Sequence, residues 1–290
     1  MNRSFLFVPG NSPKMMLNSD FLGADAIIFD LEDAVSPAEK DAARILVRNG
    51  LRALTFTHSQ TVVRINSLDT PYWQRDLDEI LQCRPQMIIL PKTNGPEDIL
   101  TLDQYMSEAE SSLALPANGI RVIALIETAL GLENAFSIAG ASKRVAALFL
   151  GAEDLTADLQ CKRTAASEEI RYARGRLVCA ARAAGVEAYD TPFTAVADTD
   201  GLRMDAAMAK SMGFTGKMAI YPAHIPVINA AFYPAPEEQA HAEAVLQAIR
   251  AAEAQGIGVA VVNGKMVDAP VIKRARQVIE TVRQGAKGWW

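Results

Sequence analysis

The sequence predicts an α/β protein built as a (β/α)₈ barrel, the TIM-barrel fold, followed by a C-terminal appendix of helices and a hairpin. Short runs rich in Val, Ile, Leu and Phe alternate with helical patterns, which is typical of parallel strands that are covered on both faces. Charged and amide side chains follow the ends of several runs, where a barrel collects its reactive groups. Periodicity does not prove that a sheet closes, so a doubly wound open sheet is the alternative.

The predicted strands are short, apolar and spread along the first 220 residues. In chain order they are Phe5–Val8, Ala26–Phe29, Thr61–Ile65, Gln86–Leu90, Arg121–Ile126, Val145–Leu150, Val186–Tyr189 and Gly216–Ile220. Strands that alternate with helices in this way make the closed barrel the leading prediction.

The predicted helices between these strands carry clear start and stop signals. The helix Pro37–Leu54 begins with Ser36 as its N-cap residue and a proline at its first position. The helices Pro96–Ser112 and Ser167–Ala184 follow the same pattern, and Gly185 is placed to end the second of them.

The chain changes character after about residue 230. Pro234 and Pro236 mark a joint, which predicts a barrel domain at 1–233 and an appendix at 234–290. An appendix of this size is long enough to reach a neighbouring subunit. Its predicted elements are an Ala-rich helix at Glu237–Gly256, a hairpin at Ile257–Val267 around Asn263-Gly264, and an amphipathic helix at Pro270–Arg283.

Composition narrows the class of protein. The chain has 290 residues and a formal net charge of -5, which opposes binding to a polyanionic nucleic acid. Cys83, Cys161 and Cys179 show no CxxC spacing and indicate reduced thiols. The apolar stretch Phe5–Val8 is shorter than the roughly seven residues of a signal-peptide core, and no run reaches the roughly 18 apolar residues of a membrane span. We therefore expect a cytoplasmic protein without membrane or nucleic-acid partners.

Glu127 and Asp154 are the predicted metal ligands. They follow the fifth and sixth predicted strands, and neighbouring strands lie about 4.8 Å apart. Mg²⁺ commonly takes one or two protein carboxylates and keeps positions for water and substrate. The alternative is that both acids only cap the helices that follow them. His58, His224 and His241 stand at no clear strand end, which argues against zinc or non-haem iron.

Further charged residues follow the second, third and fourth strands. We expect Asp30, Glu32 and Asp33 to hydrogen-bond water molecules on the metal, although Asp33 could instead cap the next helix. Arg64 could grip a carboxylate or stabilise an enolate oxygen, or it could simply pair with these acids. Lys92 could form a Schiff base, but nearby carboxylates should raise its pKa, which disfavours that mechanism.

The chain contains no P-loop and no dinucleotide-binding glycine motif after the first strand. Instead, a turn at Pro9–Lys14 leads into a helix and could offer backbone N–H groups to a phosphate, with Lys14 close by. An ordinary loop is the equal alternative.

Longer motifs identify a family. They are Arg3–Gly10, Gly23–Asp25, Phe29–Val35, Val63–Asn66, Leu90–Lys92, Ile126–Thr128, Gly151–Leu155, Gly213–Lys217 and Asn263–Pro270. In this order they cover nearly the whole chain, and they resemble the citrate lyase β-subunit-like branch of the acyl-thioester lyases, within the HpcH/HpaI aldolase group.

The resemblance implies a Mg²⁺-dependent homotrimer or hexamer that cleaves or forms a carbon–carbon bond beside a thioester of coenzyme A or an acyl carrier protein. Glu127 and Asp154 match the family's metal ligands, and Arg64 matches its arginine for the substrate or enolate oxygen. Asp268 matches a catalytic aspartate that the family supplies in trans, so we expect 234–290 to cap a neighbouring subunit's active site. Without the resemblance, Asp268 would be interpreted as an ordinary acidic residue in the turn after the hairpin. The residues expected to bind substrate or coenzyme A are Arg3, Lys14, Asn66 and Lys92.

The expected activity is cleavage of a citramalyl-CoA-type 3-hydroxyacyl thioester to acetyl-CoA and a 2-oxoacid. Gly151–Asp158 and Arg163-Thr164 look like stand-alone CoA-ester lyases. Many such enzymes have Ile-His-Pro where this chain has Ile220-Tyr221-Pro222. Citrate lyase β subunits also lack that histidine. A citryl-acyl-carrier-protein lyase subunit is therefore one alternative, and a non-catalytic acyl-CoA-binding subunit is another. The sequence leaves open the choice among citramalyl, malyl and citryl thioesters.

Overall fold

The computed structural model describes residues 2–254 and 259–287 of the chain. Two compact units are present, one comprising Asn2–Asn229 and one that begins at Ala230. The strands of the first unit are β1 (Ser4–Pro9), β2 (Ala26–Asp30), β3 (Gln60–Arg64), β4 (Met87–Leu90), β5 (Arg121–Ile126), β6 (Val145–Leu150), β7 (Glu187–Asp190) and β8 (Gly216–Ala219).

These eight strands close into a parallel barrel in chain order, and β1 pairs with both β2 and β8. The predicted barrel is therefore confirmed, and the open sheet is wrong. The predicted strand ends hold to within one residue. Two of the small differences matter for the site, because Asp30 is the last residue of β2 and Arg64 is the last residue of β3.

Helices follow the strands as predicted. They are α1 (Pro13–Asn18), α2 (Lys40–Ala53), α3 (Trp73–Ile80), α4 (Pro96–Ser112), α5 (Ala129–Glu133), α6 (Ala135–Gly140), α7 (Ala152–Asp158), α8 (Arg171–Ala184), α9 (Thr199–Met212) and α10 (Ile225–Phe232). The predicted helix at Pro37 begins as a 3₁₀ turn, Pro37–Glu39. Ser36 does not cap it, because its hydroxyl donates instead to Oε2 of Glu39 at 3.0 Å. Gly185 follows α8 with φ of 75°, the left-handed conformation expected of a helix-ending glycine.

Apolar side chains fill the interior of the barrel. Phe5, Phe149 and Tyr189 meet edge to face there, with ring centroids 4.6–5.1 Å apart. All three are nearly or fully buried, as are Ile28 and Leu125 beside them. The interior of the barrel is thus a packed core.

The second unit contains a hairpin and two long helices. Its elements are α11 (Pro236–Ala254), β9 (Ala260–Val262), β10 (Lys265–Val267) and α12 (Ala269–Lys287). Asn263 and Gly264 both have positive φ, as a two-residue hairpin turn requires. Two residues of the predicted hairpin, Ile257 and Gly258, lie outside the described residues. No helix in the described part of the chain is long and apolar enough to cross a membrane.

Candidate active site

The candidate site continues the alternation of the barrel interior. Successive side chains of a strand point to opposite faces, so every second residue faces inward. On β5, Ile123 and Leu125 face the core, and the next inward position is Glu127. The same two-residue step on other strands leads to a cavity of about 490 Å³ at the barrel mouth. Its lining includes the inward residues Phe7, Asp30, Arg64, Glu127, Gly151, Thr191 and Ile220.

Asp30 and Arg64 form a buried bidentate ion pair at this mouth. Nε and Nη2 of Arg64 donate to the two carboxylate oxygens of Asp30, each at 2.7 Å. Burial alone would raise the pKa of Asp30, but the charge and hydrogen bonds of Arg64 hold it below its ordinary value. Asp30 also accepts the backbone N–H groups of Glu32 and Ala34 at 2.9 and 3.1 Å. The ion pair with Asp30 uses two of the five N–H donors of the Arg64 guanidinium. The guanidinium also stacks over the Phe7 ring, 4.9 Å from the ring centroid.

Glu32 lies between Arg64 and Lys92. Its Oε1 accepts a hydrogen bond from Nζ of Lys92 at 2.8 Å. Its Oε2 lies 2.9 Å from Nη1 of Arg64, yet this buried oxygen accepts no hydrogen bond from any described residue. Burial raises the pKa of Glu32 despite both cations. The pKa of Lys92 is raised, since its carboxylate partners outweigh the effect of burial, and the disfavoured Schiff-base mechanism is not supported. Asp33 is more exposed and lies 3.6 Å from Arg64.

Glu127 is almost fully buried and strongly perturbed. Its Oε1 accepts the backbone N–H of Lys92 at 2.7 Å. Burial, followed by the negative charges of Glu32 and Asp154, raises the pKa of Glu127 to about 8. Gly151 provides the space for this side chain, because a Cβ at that position would lie 2.6 Å from Oε2 of Glu127. Oε2 therefore faces the next strand without a competing side chain.

Asp154 lies in α7, directly after β6, and lines the same cavity as Glu127. The first residue of that helix, Ala152, donates its backbone N–H to Oγ1 of Thr191 at 3.1 Å. Thr191 is itself buried and follows β7. The two predicted ligands are thus brought to one cavity from neighbouring strands.

The cavity carries an excess of negative charge. Among the described lining residues, carboxylates outnumber the single cation Arg64; they are Asp30, Asp33, Glu127, Glu153 and Asp154. The donors are oxygen atoms only, and the described residues bring no cluster of three or more His, Cys, Asp or Glu side chains into position to hold a metal by themselves. Two carboxylates that leave room for water and substrate suit a hard divalent cation such as Mg²⁺.

Several residues predicted to bind ligand lie elsewhere or are already paired. Arg3 precedes β1 and therefore lies at the opposite rim of the barrel, where its Nε and Nη2 bind Asp25 at 2.9 and 2.7 Å. In this placement Arg3 is not among the residues that line the cavity. The side-chain amide and backbone N–H of Asn66 both donate to Oδ2 of Asp76, at 2.7 and 2.9 Å. Asn66 thus supports α3 and does not line the cavity. Lys14 is exposed on α1, at the same end of the barrel as the cavity.

Asp268 belongs to the second unit, between β10 and α12. It is exposed, and its Oδ1 accepts the backbone N–H of Val271 at 3.1 Å. This is the hydrogen bond of a helix N-cap residue.

Sequence reasoning missed Phe7, Gly151, Thr191 and Ile220. Each of them lies two positions after a core residue of its strand and therefore faces inward. Finding them requires knowing which strand residues face the core, and their residue type gives no indication. Charged residues attract notice in a sequence, whereas a threonine or a glycine after a strand does not.

Comparison with known proteins gives consistent results. The family model described as HpcH/HpaI aldolase/citrate lyase matches residues 3–222. Citrate lyase subunit beta of Leuconostoc mesenteroides subsp. cremoris is 40% identical over 280 residues, covering 97% of this chain and 93% of that protein. The (3S)-malyl-CoA thioesterase of Cereibacter sphaeroides (strain ATCC 17029 / ATH 2.4.9) is 35% identical over 277 residues, with coverage of 96% and 93%. A crystal structure of the protein CitE from Mycobacterium tuberculosis, in complex with magnesium, acetoacetate and coenzyme A, matches with a TM-score of 0.79 and 32% identity over 97% of this chain and 98% of that one.

Proposed function

The chain belongs to the HpcH/HpaI aldolase/citrate lyase family, and from this premise we propose that it is a Mg²⁺-dependent lyase that cleaves a citramalyl-CoA-type thioester to acetyl-CoA and a 2-oxoacid. Family membership confirms the predicted resemblance and the predicted class of carbon–carbon lyase. The observation that carries the specific proposal is that Glu127, Asp154 and the Asp30–Arg64 pair all line one cavity.

Glu127 and Asp154 would hold the Mg²⁺. The backbone N–H of Lys92 orients the Glu127 carboxylate through Oε1 and leaves Oε2 with no hydrogen bond from the Lys92 backbone. Bound there, Mg²⁺ would polarise the oxygens at the 2-hydroxyacid end of the substrate and lower the pKa of the hydroxyl, whose proton would pass to solvent water. The magnesium and coenzyme A in the solved M. tuberculosis relative support this assignment.

Arg64 would stabilise the charge that develops when the bond breaks. The hydroxyl-bearing carbon becomes the carbonyl of the 2-oxoacid, and the bonding electron pair passes to the thioester as an enolate. The guanidinium is held rigidly by Asp30 and retains donors for the enolate oxygen, so little reorganisation is needed at the moment of reaction.

Asp268 of a neighbouring subunit would complete cleavage by protonating the enolate carbon, and it would remove that proton in the reverse condensation. Its exposed carboxylate, at the start of α12, is open to such an encounter. A homotrimer or a hexamer would supply the neighbour. On this proposal an isolated subunit is inactive.

The cavity lining favours a substrate whose 2-oxoacid part carries no second carboxylate. Phe7, Leu125, Met218 and Ile220 supply apolar lining, and Arg64 is the single cation among the described lining residues. A citryl group would place an additional carboxylate among carboxylates, whereas a methyl group or a hydrogen would meet apolar atoms. This supports citramalyl- or malyl-CoA over citryl thioesters.

The second candidate is a citrate lyase β subunit that acts on a citryl-acyl-carrier-protein. The 40% identity to the Leuconostoc protein over nearly the whole chain favours it. Such a subunit would turn over a carrier-protein thioester and would co-purify with carrier and transferase subunits.

The test is a Mg²⁺-dependent cleavage assay with citramalyl-, malyl- and citryl-CoA, in which release of the 2-oxoacid is followed with and without EDTA. EDTA-sensitive release of pyruvate from citramalyl-CoA is the expected result. If no CoA ester is cleaved while citryl-acyl-carrier-protein is, the second candidate replaces the first. If no thioester is cleaved, a binding role replaces both.

A further inference from the structure

The helix that carries Asp154 is too short to orient itself. α7 has seven residues, and its N-cap residue is Gly151, which has no side chain to cap it. A helix of this length forms few internal hydrogen bonds and is unstable alone. The orientation of Asp154 must therefore come from contacts with the surrounding barrel.

One such contact is at the first residue of the helix. Oγ1 of Thr191 accepts the backbone N–H of Ala152 across 39 residues of sequence, in a buried hydrogen bond of 3.1 Å. Thr191 follows directly after Asp190, which is fully buried and bonded to Arg174 at 2.8 and 2.9 Å. The ion pair of Asp190 therefore holds the end of β7 in place, and Thr191 with it.

A second contact is at the last residue of the helix. Oδ2 of Asp158 accepts the backbone N–H of Ala129 at 2.7 Å. Ala129 begins α5 and stands two residues after Glu127, while Asp158 stands one helical turn after Asp154. This hydrogen bond thus joins the segment that carries one predicted ligand to the helix that carries the other.

We propose that Thr191 and Asp158 are positioning residues that hold α7 at both ends and so set the placement of Asp154 relative to Glu127. The proposal depends on the metal site assigned above. Its consequence is that affinity for a divalent cation depends on two side chains that need not touch the cation. Partners that hydrogen-bond a metal ligand directly typically contribute about 10- to 100-fold in metal affinity, and these contacts to neighbouring residues should act at the low end of that range.

The test measures Mg²⁺ and Mn²⁺ binding by isothermal titration calorimetry, with no substrate present. Thr191→Val removes the acceptor at nearly constant volume, and Asp158→Leu removes the other acceptor. Thr191→Ser and Asp158→Asn keep an acceptor oxygen. Thr61→Val is the matched control, because Thr61 is also buried and its hydroxyl bonds to Gln86 at the opposite end of the barrel.

We expect Thr191→Val and Asp158→Leu each to weaken cation binding about tenfold, with melting temperatures no lower than that of Thr61→Val. Thr191→Ser, Asp158→Asn and Thr61→Val should bind the cation within about twofold of the wild type. Unchanged affinity in Thr191→Val and Asp158→Leu would overturn the proposal, as would an equal loss in Thr61→Val.

Asp154→Asn separates failure of the inference from failure of the metal site. If Asp154→Asn abolishes binding while Thr191→Val and Asp158→Leu do not change it, only the positioning role is wrong. If Asp154→Asn binds the cation as well as the wild type, the metal site and the positioning role are both wrong.

Discussion

The backbone N–H of Lys92 donates a 2.7 Å hydrogen bond to Oε1 of Glu127, the more buried of the two predicted metal ligands. Lys92 has φ of 50°, the left-handed conformation that non-glycine residues rarely adopt. Its side chain meanwhile binds Glu32 at 2.8 Å. One residue thus fixes two carboxylates through different atoms.

Treatment with pyruvate and sodium borohydride should neither inactivate the enzyme nor add mass to it. The pKa of Lys92 is raised by Glu32 and Asp33, so its ammonium carries no free electron pair for attack on a ketone near neutral pH. The measurement is intact-protein mass after treatment with pyruvate and sodium borohydride. A reduced adduct on Lys92 would revive the Schiff-base mechanism.

Metal-free protein should lose stability as pH rises through the titration range of Glu127. The pKa of Glu127 is raised from 4.5 to about 8 in the folded state, so the folded state keeps a proton that the unfolded state has already released. The contribution to the free energy of unfolding is complete below about pH 4.5 and is lost by about pH 8.

The measurement is denaturant unfolding in EDTA at several pH values for the wild type and for Glu127→Gln. The difference between the two curves should shift in favour of the variant as pH rises, because glutamine does not titrate. Mg²⁺ should stabilise the wild type above pH 8 and leave Glu127→Gln unchanged. Parallel pH curves would contradict the assignment.

Arg64→Lys should lower kcat/KM about 10²- to 10³-fold, the usual cost of losing a donor that stabilises developing negative charge. Lysine cannot reproduce the two parallel hydrogen bonds to Asp30. Arg3→Lys is the matched control, since it breaks the same type of bidentate pair, with Asp25, at the opposite rim. It should retain wild-type turnover even if its melting temperature falls. Equal losses in both variants would mean that Arg64 acts only through stability.

Two inactive variants should restore activity to each other if Asp268 acts in trans. Glu127→Ala keeps Asp268, and Asp268→Ala keeps an intact barrel. Each mixed trimer would contain one site in three that combines an intact barrel with an intact neighbouring Asp268, so isolated mixed trimers should show about a third of wild-type activity, against about a quarter for an unselected random mixture.

Co-expression with two affinity tags isolates the mixed oligomers, and native mass spectrometry verifies their composition. Each variant expressed alone should be inactive. Verified mixed oligomers without activity would contradict action in trans.

Strand patterns and charge placement carry most of what the sequence predicts. The barrel follows from alternation, and the positions of Asp30, Arg64, Glu127 and Asp154 follow from the rule that reactive groups stand at strand ends. Each of these residues lines the cavity.

Internal partners that are distant in the chain hold two of the predicted ligand-binding residues away from the cavity lining. Arg3 is bound to Asp25, 22 residues away, and Asn66 is bound to Asp76, 10 residues away. Either polar side chain could have faced a ligand, and only the tertiary structure reveals its internal partner. Thr191 was missed for the opposite reason, since its bond to Ala152 gives a common residue a specific position.

The two-residue step from core to cavity also constrains how this site can change. Glu127, Thr191 and Ile220 stand one residue beyond the ends of β5, β7 and β8, and all three line the cavity. Deleting one residue within β5 would turn Glu127 toward the outer helices, since the alternation has a period of two. Replacing an inward side chain leaves the backbone pairing intact. Substrate preference in this barrel can therefore change by substitution of residues at the ends of the strands. An insertion or deletion within a strand would instead turn the site residues away from the cavity.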